Sequence, residues 1–126
     1  MNSNEFREWS LRAAEWGADY RNSLRERPVR PLVEPGEIFK SIDVAPPEDG
    51  ETMQAIFADF EQKILPGMTH WQHPRFFAYF PANAAPASVV AEYLVSAMAA
   101  QCMLWQTSPA ATELEMRVVE IGRAHV

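Results

Sequence analysis

The chain has 126 residues, 48% of them hydrophobic and 22% charged, with a formal net charge of −6; it is long enough for one compact domain and lacks the basic face of a nucleic-acid binder. Its one cysteine, Cys102, excludes an internal disulfide framework, and its apolar setting in SAMAAQCMLW reads as a small buried hydrophobe rather than a nucleophile. MNSNEFREW does not have the layout of a secretory signal, and Glu92 interrupts the longest apolar run, Ala84 to Trp105, so a membrane span is not expected and the setting is cytoplasmic.

Residues 4 to 26 predict an amphipathic helix. Phe6, Trp9, Ala13, Trp16, Tyr20 and Leu24 recur on one face, with Ser3 or Asn4 suited to cap the start and Pro28 to enforce the stop. That aromatic stripe needs a covering surface, which the rest of the chain is not expected to supply. RNSLRERPVR is a solvated surface, with a phosphate contact as the weaker reading. Pro28, Pro31 and Pro35 then make a stiff extended arm, and Pro35-Gly36 suits the centre of a type II turn. GEIFKSI is a short helical piece leading into the loop DVAPPEDG.

A second helix is expected from Glu51 to Leu65. Met53, Ile56, Phe57, Phe60 and Ile64 line one face, acids sit near the positive end of the dipole, and Pro66-Gly67 closes it. In FFAYF, an extended backbone would place Phe76, Ala78 and Phe80 on one side and Phe77 and Tyr79 on the other. These rings, with Trp71 upstream, suit either a core or the wall of a pocket for a planar ligand. A third helix is expected from Pro86 to Met103, apolar nearly all round and therefore destined for burial in a larger body. A fourth begins at Ser108-Pro109 and runs through ATELEMRVVE.

No complete catalytic set is present. His70 and His73 have an HxxH spacing, but a zinc site needs further ligands that the local motif lacks, and a turn in which the rings bond backbone is the plainer reading. Glu113 and Glu115 cannot face each other on a helix. No phosphate-binding glycine loop or GxSxG elbow occurs.

EFREW, VEPGE, PGMTHWQHPRFFAYFPAN and WQTSPAATELE together resemble the N-terminal part of group II pyridoxal-phosphate-dependent decarboxylases of aromatic L-amino acids (dopa, tyrosine and tryptophan decarboxylases). The resemblance runs from about Glu5 to Glu120 and covers roughly the opening quarter of such enzymes. It implies a mainly α-helical segment: an N-terminal helical arm and the start of the large domain of a fold type I, aspartate-aminotransferase-like α/β enzyme. The expected division is 1–85 as dimerisation arm with an aromatic substrate-wall loop, 86–120 as the first helices of the cofactor-binding domain, and 121–126 as translated sequencing adapter, since EIGRAHV matches one frame of a common library adapter.

By the same resemblance, Trp71, Tyr79, Phe80, Pro81 and Ala82 wall the pocket for the substrate's aromatic side chain. A threonine that approaches the substrate often stands at the position of Ala82, so that hydroxyl is missing here. Gln101 and Met103 are expected to reach the neighbouring subunit's pocket; a phenylalanine is usual at the Met103 position in the animal enzymes. Phe6, Trp9, Trp16 and Tyr20 form a homodimer interface. The cofactor is pyridoxal 5′-phosphate in the full-length enzyme, and the lysine that holds it as a Schiff base lies beyond this chain, because Lys40 and Lys63 match nothing catalytic. The fragment alone is expected to be inactive. Alternatives are a non-catalytic helical interaction module, a histidine or glutamate decarboxylase, and an aldehyde-forming relative.

Overall fold

The computed structural model describes residues 1–80 and 84–123, and among these every regular element is helical. The chain divides into two units, Met1–Asn83 and Ala84–Val126.

In the first unit, α1 spans Ser3–Asn22. Its cap is Asn2, one or two residues earlier than expected. The Asn2 side chain accepts the Asn4 and Glu5 amides at 2.9 and 3.0 Å, while the Asn2 amide donates to the Glu5 carboxylate at 2.7 Å. This reciprocal box satisfies donors that a helix start otherwise leaves open. The helix ends at Asn22, before Pro28 can act, and tightens into a 3-10 turn over Leu24–Glu26. Leu24 is the one buried hydrophobic side chain among the described residues.

The arm that follows forms no regular element and bends at Val29 and Arg30, and Pro35-Gly36 forms the expected turn. Gly36 adopts φ +87° and the Glu37 amide donates to the Glu34 carbonyl at 3.0 Å, which is type II geometry requiring a positive φ at its third position. Helix α2, Glu37–Ser41, sets Ile38 so close to Gly67 that a Cβ there would lie 2.9 Å from two of its atoms.

The expected second helix is composite. Helix α3 covers Met53–Asp59 behind a Thr52 cap, a π turn covers Phe60–Ile64, and a 3-10 turn covers Leu65–Gly67. This stretch covers much of the α1 stripe. Trp9 meets Phe57 at 5.5 Å between ring centroids, Trp16 meets Phe57 at 6.4 Å and Phe60 at 5.0 Å, and Arg12 lies 4.9 Å from the Trp9 centroid. The Trp16 indole donates to Glu61 at 3.1 Å and Arg12 to Gln54 at 2.9 Å. The premise that the chain holds no surface for Trp9, Trp16 and Tyr20 is therefore corrected: packing of rings against rings covers them in part, while Phe6 remains 50% exposed.

In the second unit, α4 spans Pro86–Met98, with Pro86 in its first turn where no amide is needed. It stops short of the expected Met103 because Ala99 turns left-handed, at φ +49°. Gln101 and Met103 thus lie in the following turn, where the Thr107 hydroxyl donates to the carbonyls of Gln101 and Leu104 at 2.8 and 2.9 Å. Cys102 is exposed there, not buried as expected, in a unit whose helices carry no buried side chain among the described residues. Helix α5 spans Pro109–Arg123; Ala124 to Val126 of the expected adapter segment lie outside the described residues. Val90, Leu94 and Met98 on α4, and Leu114, Met116 and Val118 on α5, stand exposed.

Candidate functional site

The aromatic segment is built on a knot of histidines. The His70 amide donates to the Val29 carbonyl at 3.0 Å, tying the segment to the proline arm, and His70 Nδ1 lies 2.8 Å from the Tyr20 hydroxyl on α1. The chain then turns tightly. The His73 amide donates to the His70 carbonyl and the Phe76 amide to the His73 carbonyl, each at 2.9 Å. His73 Nδ1 accepts the Arg75 amide at 3.0 Å, which leaves the neutral ring's proton on Nε2. Nε2 itself is buried and has no hydrogen-bond partner among the described residues. Both imidazoles are only 4% exposed.

The electrostatics of the knot favour a neutral His70 and a neutral Tyr20. Burial, then the Arg27 guanidinium and then His73, hold the His70 imidazolium below its usual range. Burial pushes the Tyr20 phenol up, with Arg27 pulling the other way. Arg27 sits 5.0 Å from the Tyr20 centroid and donates to Ser23 at 3.2 Å. A neutral phenol beside a neutral imidazole is a stable hydrogen-bonded pair that burial does not penalise as it would an ion.

From this base the rings project outward. FFAYF is not extended, so the alternation of its side chains does not occur. Tyr79 adopts φ +55°, uncommon for an aromatic residue, and its ring stacks on Trp71 at 5.9 Å with a 25° interplanar angle. Phe76 packs on Trp71 at 4.8 Å. The result is a three-ring surface with Trp71 at its centre, 40% exposed, and Tyr79 at its rim, 87% exposed. Phe77 and Phe80 are exposed as well, at 90% and 93%. Pro81 and Ala82, the other two expected wall residues, lie outside the described residues.

Gln101 and Met103 belong to the second unit and are exposed. The Trp105 indole donates to Glu113 at 2.8 Å, which gives that carboxylate a structural partner. Sequence reasoning missed Tyr20 and His70 as a pair. HxxH drew attention to His70, but no local pattern links it to a tyrosine on the first helix.

No group of three His, Cys, Asp or Glu side chains among the described residues is placed to hold a metal ion. A concavity lined by Ile42, Val44, Pro47 and Ile64 carries Lys63 and Asp59 on its wall. Lys63 bonds Asp59 at 2.7 Å, and that bond, with Asp43 and Glu51 nearby, holds its ammonium protonated above the usual lysine range. An amine so placed is ill suited to condense with a carbonyl, which requires the neutral form. Lys40 is exposed on α2. Neither lysine fits a covalent cofactor site.

Residues 35–124 match the pyridoxal-dependent decarboxylase conserved domain. The chain is 40% identical over 120 residues to phenylacetaldehyde synthase of Arabidopsis thaliana, covering 95% of this chain and 24% of that protein. It is 41% identical over 115 residues to aromatic-L-amino-acid decarboxylase of Mus musculus, covering 91% and 24% respectively. Among solved structures, tryptophan decarboxylase of Catharanthus roseus in complex with L-tryptophan superposes with a TM-score of 0.86 at 39% identity, covering 94% of this chain and 25% of that one. The chain thus spans about a quarter of the length of the curated relatives it matches.

Proposed function

Because the chain belongs to the pyridoxal-dependent decarboxylase family, we propose that it forms the aromatic substrate wall of an enzyme that removes carbon dioxide from aromatic L-amino acids. The observation that carries this reading is the left-handed Tyr79, which folds its ring onto Trp71 and leaves an outward-facing aromatic surface. Planar side chains are held by such surfaces through offset stacking and apolar contact. The wall comprises Trp71, Tyr79 and Phe80, continued by Pro81 and Ala82.

Pyridoxal phosphate, in this reading, supplies the electron sink for breaking the bond to the carboxylate. Residues other than Lys40 and Lys63 hold it, and this chain contributes orientation and exclusion of water at the substrate's ring. The working form is a cytoplasmic homodimer in which Phe6 and its neighbours meet the partner and Gln101 and Met103 face the partner's pocket. Exposed Phe6 supports the interface, and the exposed free thiol of Cys102 suits a reducing compartment.

One specific observation favours a second reading. The Arabidopsis relative, at 40% identity, is a phenylacetaldehyde synthase, so aldehyde formation on the same aromatic wall is the alternative outcome. The test is to load the full-length protein carrying this segment with pyridoxal phosphate and supply tyrosine, dopa, tryptophan and phenylalanine in turn. Carbon dioxide with the matching amine is expected. Carbon dioxide with aldehyde, ammonia and hydrogen peroxide, formed with consumption of dioxygen, selects the second reading, and no carbon dioxide from any of them overturns both.

A further inference from the structure

The structure assigns a positioning role to Tyr20 and His70: their contact ties the turn bearing Trp71 to α1, so that affinity for the substrate's ring depends on a pair that touches no substrate. This rests on the reading of Trp71 and Tyr79 as the substrate wall.

Trp71 has little of its own to hold it. Its ring is 40% exposed, its ring neighbours among the described residues, Phe76 and Tyr79, belong to the same short segment, and its amide bonds Thr69, two residues back, at 3.1 Å. The fixed point is the next residue along. His70 is buried, its amide is bonded to Val29, and its ring meets Tyr20 at 2.8 Å. From His70 the order passes through backbone bonds to His73 and on to Phe76, which packs on Trp71 at 4.8 Å. One route therefore runs from α1 through buried polar groups to the face of the wall. If the Tyr20 hydroxyl is removed, a buried imidazole loses its partner and the turn is free to shift. A wall displaced in this way binds the ring less well without altering the chemistry at the cofactor.

The groups acting on His70 are Tyr20 from α1, Arg27 from beyond the 3-10 turn and His73 from its own turn. Two of these are basic, so a proton added to His70 meets repulsion and leaves Nδ1 able only to donate to the Tyr20 oxygen, beside the Arg27 guanidinium. Acid should therefore weaken the hold on the wall that deleting the hydroxyl removes. Asparagine at position 70 offers a neutral acceptor near the place of Nδ1 and does not titrate.

The experiment uses the full-length, cofactor-loaded protein, with rates normalised to bound cofactor. At about pH 8, Tyr20→Phe is expected to raise KM for the aromatic amino acid about two- to ten-fold, the loss of one hydrogen bond, with kcat within about two-fold. His70→Asn should stay within about two-fold of wild type at that pH. As pH falls below 6.5 and through the lowered His70 value, the ratio of wild-type to His70→Asn KM should climb toward the Tyr20→Phe value. A readout independent of turnover is calorimetric binding of 3-(4-hydroxyphenyl)propionate, which has the ring and carboxylate but no amine; its Kd should weaken by the same factor. A merely structural role would lower the yield of loaded enzyme and leave KM and Kd unchanged. Should Tyr20→Phe fail to fold, the pH series of wild type against His70→Asn reads the same quantity. Active wild type with KM and Kd matching both variants at every pH overturns the inference alone. Wild type that turns over no aromatic amino acid overturns the functional reading and takes this inference with it.

Discussion

Trp16 of α1 and Phe60 of the π turn meet edge to face, with 5.0 Å between ring centroids and 67° between planes. Their contact is the centre of a cluster in which Trp16 also stacks on Tyr20 at 5.2 Å and Phe57 packs on Phe60 at 5.8 Å. With Leu24 the one buried apolar side chain among the described residues, and that still 6% exposed, this ring cluster carries most of the packing in the first unit.

Phe57→Ala should therefore be among the more damaging substitutions in that unit. It removes contacts to Trp9, Trp16 and Phe60 and should cost about 2–4 kcal/mol, somewhat below a fully enclosed core site because Phe57 is half-buried. Phe6→Ala, at a position 50% exposed, should cost less than about 0.5 kcal/mol if nothing else covers it. Denaturant unfolding of the two variants gives the ranking. A comparable loss for Phe6 would mean that a partner surface buries it, as the dimer reading requires.

The buried knot predicts a pH dependence of stability. His70 has its folded-state pKa held below the ordinary 6.5, so the unfolded chain binds more protons as the pH falls. Its contribution is fully present above pH 6.5 and is lost as pH falls through the folded value. Tyr20 acts in the opposite direction, because its pKa is raised above 10.0: its contribution is present below that pH and is lost as pH rises beyond it. Thermal unfolding of wild type against His70→Asn should show the advantage of wild type shrinking below pH 6.5. An advantage independent of pH across that range would contradict the burial of His70.

Much of this was legible from the residues, and the failures have physical causes. Helical segments announced themselves through apolar spacing, and Pro35-Gly36 fixed its turn because only glycine readily takes that φ. The ends were less legible. Helix α1 was capped by Asn2 and began at Ser3 because the cap acts together with Glu5, and α4 stopped at Met98 through an alanine in a glycine-like conformation, which no sequence signal marks. The resemblance singled out Trp71 and Tyr79 as expected wall residues, but their stacking depends on the left-handed Tyr79, again at a residue that gives no warning. Least legible was Tyr20 with His70, since side chains 50 residues apart leave no periodicity to read.

That unexpected alanine gives a prediction of its own. Ala99 holds φ +49° and ψ +42°, a conformation that crowds its Cβ against the neighbouring carbonyl. Ala99→Gly should relieve this and stabilise the helix end by about 0.5–1 kcal/mol, after allowing for glycine's greater freedom when unfolded. The check is a rise in melting temperature without loss of helical signal. A fall would show that the Ala99 methyl makes contacts worth more than the strain.

The sharpest test of the wall is at Tyr79. Its ring is 87% exposed and stacks on Trp71 at 5.9 Å, so it contributes little to holding the fold and much to the surface a ligand would meet. If the wall binds the substrate's ring by stacking, the ring of Tyr79 matters more than its hydroxyl. Tyr79→Phe keeps the ring and should leave KM for an aromatic amino acid within about two-fold. Tyr79→Ala removes one aromatic contact and should raise KM about two- to ten-fold, matching the usual worth of such a pair. Trp71→Ala should do more, because Trp71 touches both Phe76 and Tyr79 and its loss dissolves the stack. In all three variants the visible absorbance of bound pyridoxal phosphate should persist, since these rings are assigned to the substrate and not the cofactor. Tyr79→Gly separates ring from backbone, because glycine takes φ +55° without strain; it should match Tyr79→Ala in KM and exceed it in stability. Loss of bound cofactor from a folded Tyr79→Ala protein would place the ring against the cofactor instead, and unchanged KM in both Trp71→Ala and Tyr79→Ala would remove the wall from the site altogether.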